Sequence, residues 1–427
     1  MKYKRVKLPH GGTLHYVKNN ISKTSMIEIL FNCGSRCDTV PGLAHFTEHM
    51  FFTGTDKMSK EEITKKYFDF INVNAYTGYT EIVFNGNVFT RELEDYISTV
   101  KTLITDSTFT QDEVDKEIKV VQQEIAKYKD KYNRHAYSFN AFNLTKSDIV
   151  KEDVLGTEES VASIKSQDVK DYVKKYFVAD NMEIYVSSPL SFSKIKSLII
   201  KNLGSKLPRN KDFKKMPNYI FNIENDNFVA LQSKDLDKCY IHLNFAFNRF
   251  ATDFEFKSKF DLVKSMINDF SEGVSKELII NKSLIYGGGF DDEFTDKYAL
   301  TTFETECDKK NVNEVISTIA EYVDKIKKEG FTQDQLEKAK RKFSYREDAK
   351  EPVVRKDLKK LYNYKFYDKI VDEKWIKKIK METTLEEVNN IFKEVFVNNP
   401  RVSLSVYGDI AKKDLISKAK FNKLFIK

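Results

Sequence analysis

The four residues Phe109-Thr110-Gln111-Asp112 occur again as Phe331-Thr332-Gln333-Asp334, 222 positions later. Each copy opens a long charged stretch of helical character and follows an amphipathic one. Upstream, Ile97-Ser98-Thr99-Val100 matches Ile316-Ser317-Thr318-Ile319, and the alternating run from Tyr79 to Val88 matches that from Tyr298 to Glu306. Downstream, Val169 to Asn181 resembles Val388 to Pro400, and both lead into short apolar runs, Met182 to Val186 and Val402 to Val406. The offset stays between 219 and 222 residues throughout. Chance likeness among Lys- and Glu-rich helices would scatter that offset, so its constancy argues for duplication. Each copy interleaves strands with long helices, which predicts an α+β fold of two homologous domains. The polar, turn-rich stretch from Gly204 to Lys211 places the join, giving domains 1–210 and 211–427. At 427 residues the chain also exceeds what one ordinary core supports.

The two copies differ in chemistry. The first contains His45-Phe46-Thr47-Glu48-His49, an H-x-x-E-H motif in a run of helical character. Pro41 sits where a first helical turn tolerates it, and Gly54 where a C-terminal stop is expected. On a helix, His45 and His49 are about 40° apart and Glu48 lies about 60° from His45 on the other side. One short helix can therefore aim two imidazoles at a metal and hold a carboxylate beside it. Zn²⁺ suits that arrangement, because imidazole is a good ligand and a catalytic zinc keeps one position open for water. The bland reading, two ordinary core or surface histidines, must place two of only six His in one five-residue motif by accident. A third ligand is expected on the helical stretch from Glu113 to Ile125. There Glu117 and Glu124 share a face but sit roughly 10 Å apart along the axis. Spacing alone leaves open which of them meets the metal, and a solvated charged face is the common fate of such glutamates. The second copy has a single histidine, His242, and no H-x-x-E-H; the offset puts Ala339 and Arg346 where the first copy has Glu117 and Glu124. The metal is expected in the first copy only, and His242, in an alternating strand, reads as a packed or edge residue.

The H-x-x-E-H motif, followed about 75 residues later by E-x-x-x-x-x-x-E, resembles the inverzincin zinc peptidases of family M16, in its processing-peptidase-like branch. Cys33-Gly34-Ser35-Arg36 and Gly42-Leu43-Ala44-His45 resemble the family's G-S-R and G-x-A-H segments, and Asn74-Ala75-Tyr76-Thr77 its N-A-x-T segment. The resemblance implies two domains, each a mainly antiparallel sheet covered by helices, forming half of a clam-shell peptidase. It implies one Zn²⁺ per chain, held by His45, His49 and Glu124, with Glu48 as general base and Glu117 as supporting carboxylate. It implies that Asn74 and Ala75 line the substrate cleft, where a peptide is held as an added strand. Active members also use an Arg and a Tyr, seven residues apart in a later domain, to bind substrate and stabilise the oxyanion. Tyr286, within Leu284-Ile285-Tyr286-Gly287-Gly288-Gly289, resembles that Tyr, but Ile279 stands seven residues before it and cannot donate. Lys276 and Lys282 are near but not at that spacing. Two-chain members divide the labour, one chain bringing H-x-x-E-H and the other the Arg/Tyr pair. The resemblance thus implies the zinc-bearing subunit of a heterodimeric endopeptidase that cuts unfolded peptides or leader and presequence segments. The alternative is a non-catalytic scaffold or peptide-binding subunit, whose usual mark is loss of ligands that this chain keeps.

Composition excludes other classes. The net charge of +7 is spread over well-mixed charges of both signs, and no clustered basic face or known module predicts nucleic-acid binding. No segment approaches 18 consecutive apolar residues, and Met1 to Val6 lacks an apolar signal core, so no membrane span and a cytoplasmic location are expected. Cys33, Cys37, Cys239 and Cys307 have no zinc-ribbon spacing and read as ordinary strand and loop residues.

Overall fold

A computed structural model describes residues 3–20, 22–68, 73–129, 132–147, 150, 153–204, 206–214, 229–295, 297–348, 371, 373–398 and 401–426. Its first half contains strands β1 (Tyr3–Lys7), β2 (Thr13–Lys18), β3 (Thr24–Phe31), β4 (Val73–Thr77), β5 (Ile82–Phe89) and β6 (Met182–Ser188). The helices there are α1 (Leu43–Met50), α2 (Lys60–Phe68), α3 (Leu93–Asp106), α4 (Gln111–Lys129), α5 (Tyr132–Thr145), α6 (Glu158–Ser163), α7 (Ser166–Tyr176) and α8 (Phe192–Ile199). The second half contains β7 (Val229–Ser233), β8 (Cys239–Phe247), β9 (Gly288–Phe294), β10 (Ala299–Cys307) and β11 (Arg401–Gly408). Its helices are α9 (Phe254–Ile267), α10 (Val312–Glu329), α11 (Gln333–Asp348), α12 (Glu373–Glu382), α13 (Leu385–Phe396) and α14 (Lys418–Phe425).

The strand orders are β1-β2-β6-β3-β5-β4 and β7-β11-β8-β10-β9. With β1 set aside, the two sheets match strand for strand. The β2–β6 and β7–β11 pairs are parallel, and every other neighbouring pair is antiparallel. The repeat in the sequence is thus a repeat of topology, and the fold is α+β in two homologous domains. Strand ends shift slightly from the expected ones. β5 begins at Ile82 rather than Tyr79, because the Gly78 and Tyr79 carbonyls accept from the Ser35 and Arg36 amides, at 3.1 Å each, instead of joining the ladder.

Period-two alternation sends Ile27, Ile29 and Phe31 of β3, with Ile82 and Phe84 of β5, to the same core as Phe46 and Phe51. Each such side chain, fully buried, contributes about 1.5–3 kcal/mol. The opposite face gathers Val17, Leu30, Val83 and Tyr185.

The chain divides into two compact units, each carrying one sheet. The division is not the clean cut at 210/211 that the sequence suggested, because α5 belongs to the second unit. There Leu144 packs with Ala246 of β8, Leu300 of β10 and Tyr298. Asn140 and Asn244 of β8 exchange two side-chain hydrogen bonds, at 3.1 and 2.9 Å. Both amides are buried, and buried amides left unpaired would be costly. His242 lies in β8 between β10 and β11, so it is a packed residue rather than an edge one. Burial pushes its pKa down to about 4. All four cysteines are buried and none forms a disulfide. Among the described residues, no helix is long and apolar enough to cross a membrane.

Candidate metal centre

The helix that carries the motif is anchored at its start. The Asp38 carboxylate accepts from the Gly42 amide at 2.9 Å and from the Ala44 amide at 2.8 Å. It thereby satisfies donors that a helix N-terminus leaves open. Burial outweighs these hydrogen bonds and pushes the Asp38 carboxyl up to about 7. Gly42 caps α1 with φ +90°, and a Cβ there would lie 2.6 Å from the Leu155 carbonyl oxygen. That position admits only glycine. Pro41 precedes the cap rather than entering the first turn, and Gly54 lies beyond the end of α1, bridged to Ser59.

His45 and His49 leave one face of α1 with ring centroids 4.7 Å apart. Glu124 of α4 brings Oε2 to 3.3 Å from His49 Nε2 and 3.8 Å from His45 Nε2. One ligand atom from each of these three residues lies within 4.8 Å of the others. Tetrahedral zinc with ordinary bond lengths needs ligand atoms roughly 3.3 Å apart. Two imidazoles and a carboxylate are also a donor set that zinc favours. The residues fit the metal.

Glu117 takes the other side of the same imidazole. Its Oε1 is 3.0 Å from His49 Nδ1, while its Oε2 accepts from Lys60 Nζ at 2.7 Å. Burial acts to raise the Glu117 carboxyl, but the hydrogen bonds to His49 and Lys60 hold it below the usual carboxylate range. For His49, burial disfavours the charge, yet Glu117 and Glu124 outweigh it and push the pKa up to about 9. A metal ion arriving at Nε2 must displace that proton. Spacing could not choose between the two glutamates. The structure separates them by which ring nitrogen each one faces.

Glu48 is buried on the same helix, and its Oε2 accepts from Thr77 Oγ1 at 2.5 Å. Burial pushes its carboxyl up, opposed first by that hydrogen bond. Thr77 ends β4, the strand at one edge of the first sheet among the described residues. Strand alternation gives β4 a buried Ala75, while Asn74 and Tyr76 are exposed. Tyr286 belongs to the second unit and is 99% exposed in the loop before β9. Lys282 is held to α10, its Nζ donating to Thr318 Oγ1 at 2.9 Å. Sequence reasoning missed Asp38 and Lys60 as parts of the centre, and it singled out the Asn74–Thr77 segment without giving Thr77 a role. Lys60 arrives from α2, and no local spacing pattern marks it.

Comparison with known proteins now bears on this geometry. Residues 14–174 match the family model for insulinase (peptidase family M16), and residues 163–343 that for the peptidase M16 inactive domain. The chain belongs to peptidase family M16. Over 419 residues it is 23% identical to the uncharacterized zinc protease YmxG of Bacillus subtilis, covering 94% of this chain and 97% of that one. Over 209 residues it is 24% identical to a probable mitochondrial-processing peptidase subunit beta of Arabidopsis thaliana, covering 47% of this chain and 38% of that relative. The match therefore spans well under half of the plant protein's length. The solved peptidase M16 inactive domain of Pseudomonas fluorescens has the same fold, with a TM-score of 0.81 at 15% identity, covering 96% of this chain and 99% of that one. Within this M16 chain, the insulinase match takes in the whole H-x-x-E-H motif, and the inactive-domain match falls on residues without it.

Proposed function

We propose that this M16 chain is a zinc-dependent endopeptidase that cleaves unfolded peptides or leader and presequence segments, as the zinc-bearing subunit of a two-chain enzyme. The observation that carries the reading is the convergence, within 4.8 Å, of His45 and His49 on the helix that also bears Glu48 with Glu124 of α4. These three residues would hold one zinc ion per chain. When bound, the ion supplies Lewis acidity at the meeting point of its ligands. Glu48 takes the proton from the water that attacks the scissile carbonyl and passes it to the leaving amine. Burial makes its carboxylate a stronger base than an exposed one. Thr77 engages Oε2 and leaves Oε1 for the proton. The edge strand β4, with Asn74 and Ala75, binds the peptide as a further strand.

The two-chain reading rests on Ile279. Tyr286 is assigned to substrate contact, but seven residues before it stands a side chain with no donor, and Lys282 is already committed to Thr318. A partner M16 chain lacking H-x-x-E-H supplies the Arg/Tyr pair. Losing one donor to the oxyanion typically costs about 100- to 1,000-fold in rate. The test combines metal analysis with cleavage of a flexible peptide. Glu48→Gln is expected to keep zinc and lose cleavage, and cleavage at the normal rate by that variant sinks the mechanism. The chain alone is expected to be nearly inactive and to gain activity on mixing with its partner. Full activity from this chain alone removes the heterodimer and leaves the zinc peptidase standing.

A further inference from the structure

Glu117 is a nearly enclosed carboxylate with two hydrogen-bond partners among the described residues, His49 and Lys60. Its side chain is 5% exposed, whereas that of Lys60 is 55% exposed. An ion pair between two exposed side chains would carry little meaning. This pair is different, because its acidic member is buried and its second oxygen touches the His49 ring.

The backbone of Lys60 is held in place. It opens α2, directly after a loop pinned from both sides. Thr55 bridges to Ser107, Asp56 N donates to the Asp106 carbonyl at 3.0 Å, and Ser59 N donates to Glu62 Oε2 at 2.8 Å. The lysine is thus launched toward α4 from a fixed point. A carboxylate with one oxygen on an imidazole can still swing about its own bond to that oxygen. A second hydrogen bond at the other oxygen stops the swing.

We propose that Lys60 is a positioning residue of the metal centre, locking the Glu117 carboxylate so that Glu117 in turn locks the His49 ring with Nε2 toward Glu124. This deepens the zinc reading above and rests on it. Partners one step out from the ligands commonly govern affinity in this way. The charge of Lys60 pulls in the opposite direction, since a cation near a metal site repels the metal. That charge is more than half exposed and screened by water, and it reaches the metal only across the carboxylate and the ring. Orientation is therefore expected to win, and the sign of the effect decides between the two.

The experiment is a zinc titration of the full chain against a chromophoric chelator, for wild type, Lys60→Met, Lys60→Arg, Glu117→Gln and the Lys60→Met/Glu117→Gln double variant. Lys60→Met is expected to weaken zinc by about 10-fold, the low end of the range for such partners. Lys60→Arg, which keeps a donor, is expected to restore affinity. The double variant is expected to be no weaker than Glu117→Gln alone, because Lys60 acts only through Glu117. Equal or tighter zinc in Lys60→Met, or additive losses in the double variant, overturns the proposal. A second readout needs no metal. The ¹⁵N signals of the His49 imidazole are expected to move in Lys60→Met and return in Lys60→Arg, and an unmoved signal overturns the proposal. A wild-type chain that takes up no zinc sinks the peptidase reading, and the imidazole signals then decide the fate of Lys60 alone.

Discussion

The α1–α4 pair of the first unit and the α9–α11 pair of the second occupy the same places in two copies of one plan, yet they solve opposite problems. In each copy the first helix follows the central strand, the second begins within a Phe-Thr-Gln-Asp segment, and the two pack together. Between α1 and α4 the copy gathers two imidazoles and the carboxylates of Glu117 and Glu124, an excess of lone pairs. Around α9 and α11 the buried carboxylate comes with its own cations. Asp269, just past α9 and 7% exposed, accepts from Lys338 Nζ at 2.8 Å and also from Lys342, both on α11. Ala339 is buried where the offset expects the counterpart of Glu117. An ion pair satisfies itself, whereas a cluster of lone pairs calls for a cation. Duplication thus supplied one scaffold, and the choice of charges on one helix pair decides which copy can host a metal.

The strongest way to break this comparison is to remove a ligand. His45→Ala or His49→Ala is expected to abolish zinc binding, as read by metal analysis, while the calorimetric transition of the second unit stays in place. Retention of stoichiometric zinc by either variant would mean that the cluster is not the site. Next in size are the two glutamates. Glu124→Gln is expected to remove most zinc affinity, and Glu117→Gln to weaken it by roughly 10- to 100-fold. The reverse ranking would exchange their roles.

The second unit offers the complementary test. Asp269→Asn is expected to cost about 1–3 kcal/mol, since it weakens hydrogen bonds between a carboxylate and two ammonium groups. Its pH dependence carries a sign. Burial works against the Asp269 charge, but Lys338, Lys342 and Ser271 hold the carboxyl well below the usual range. A depressed carboxyl stabilises the fold above the ordinary carboxylate value of about 4 and loses that contribution as the pH falls toward the depressed value. The gap between wild type and Asp269→Asn should therefore be full at neutral pH and close in acid. A gap that widens in acid would refute the assignment. The smallest effect is expected at Asp38. Asp38→Ala removes an anchor from the start of α1 and should cost about 1 kcal/mol by thermal unfolding.

How much of this was legible in the sequence follows from range. The histidines and Glu48 could be read because i, i+3 and i+4 spacing is a property of one helix. The duplication could be read because its offset persists through many elements. The Glu117/Glu124 choice could not, because an axial separation of roughly 10 Å says nothing about which ring nitrogen lies at which height. Lys60 and Thr77 join the centre from α2 and β4, and neither stands in a pattern with His49 or Glu48. The join at 210/211 was drawn from turn-forming residues, which mark where the chain can bend. They do not report that Leu144 and Asn140 have partners on a strand a hundred residues away.

That displaced helix has a consequence for synthesis. A ribosome delivers α5 before β6, so the first sheet can be completed while the sheet that receives α5 does not yet exist. The strands that receive it, β8 and β11, emerge later, and β11 (Arg401–Gly408) comes close to the end of the described chain. Until β8 and β10 arrive, Leu144 and the Asn140 amide wait without these partners, a span in which nascent chains are open to wrong associations. The second unit cannot be completed piecemeal during translation. Its sheet is finished only when β11 arrives, and a stall or truncation between α5 and β8 leaves α5 without the strands that receive it.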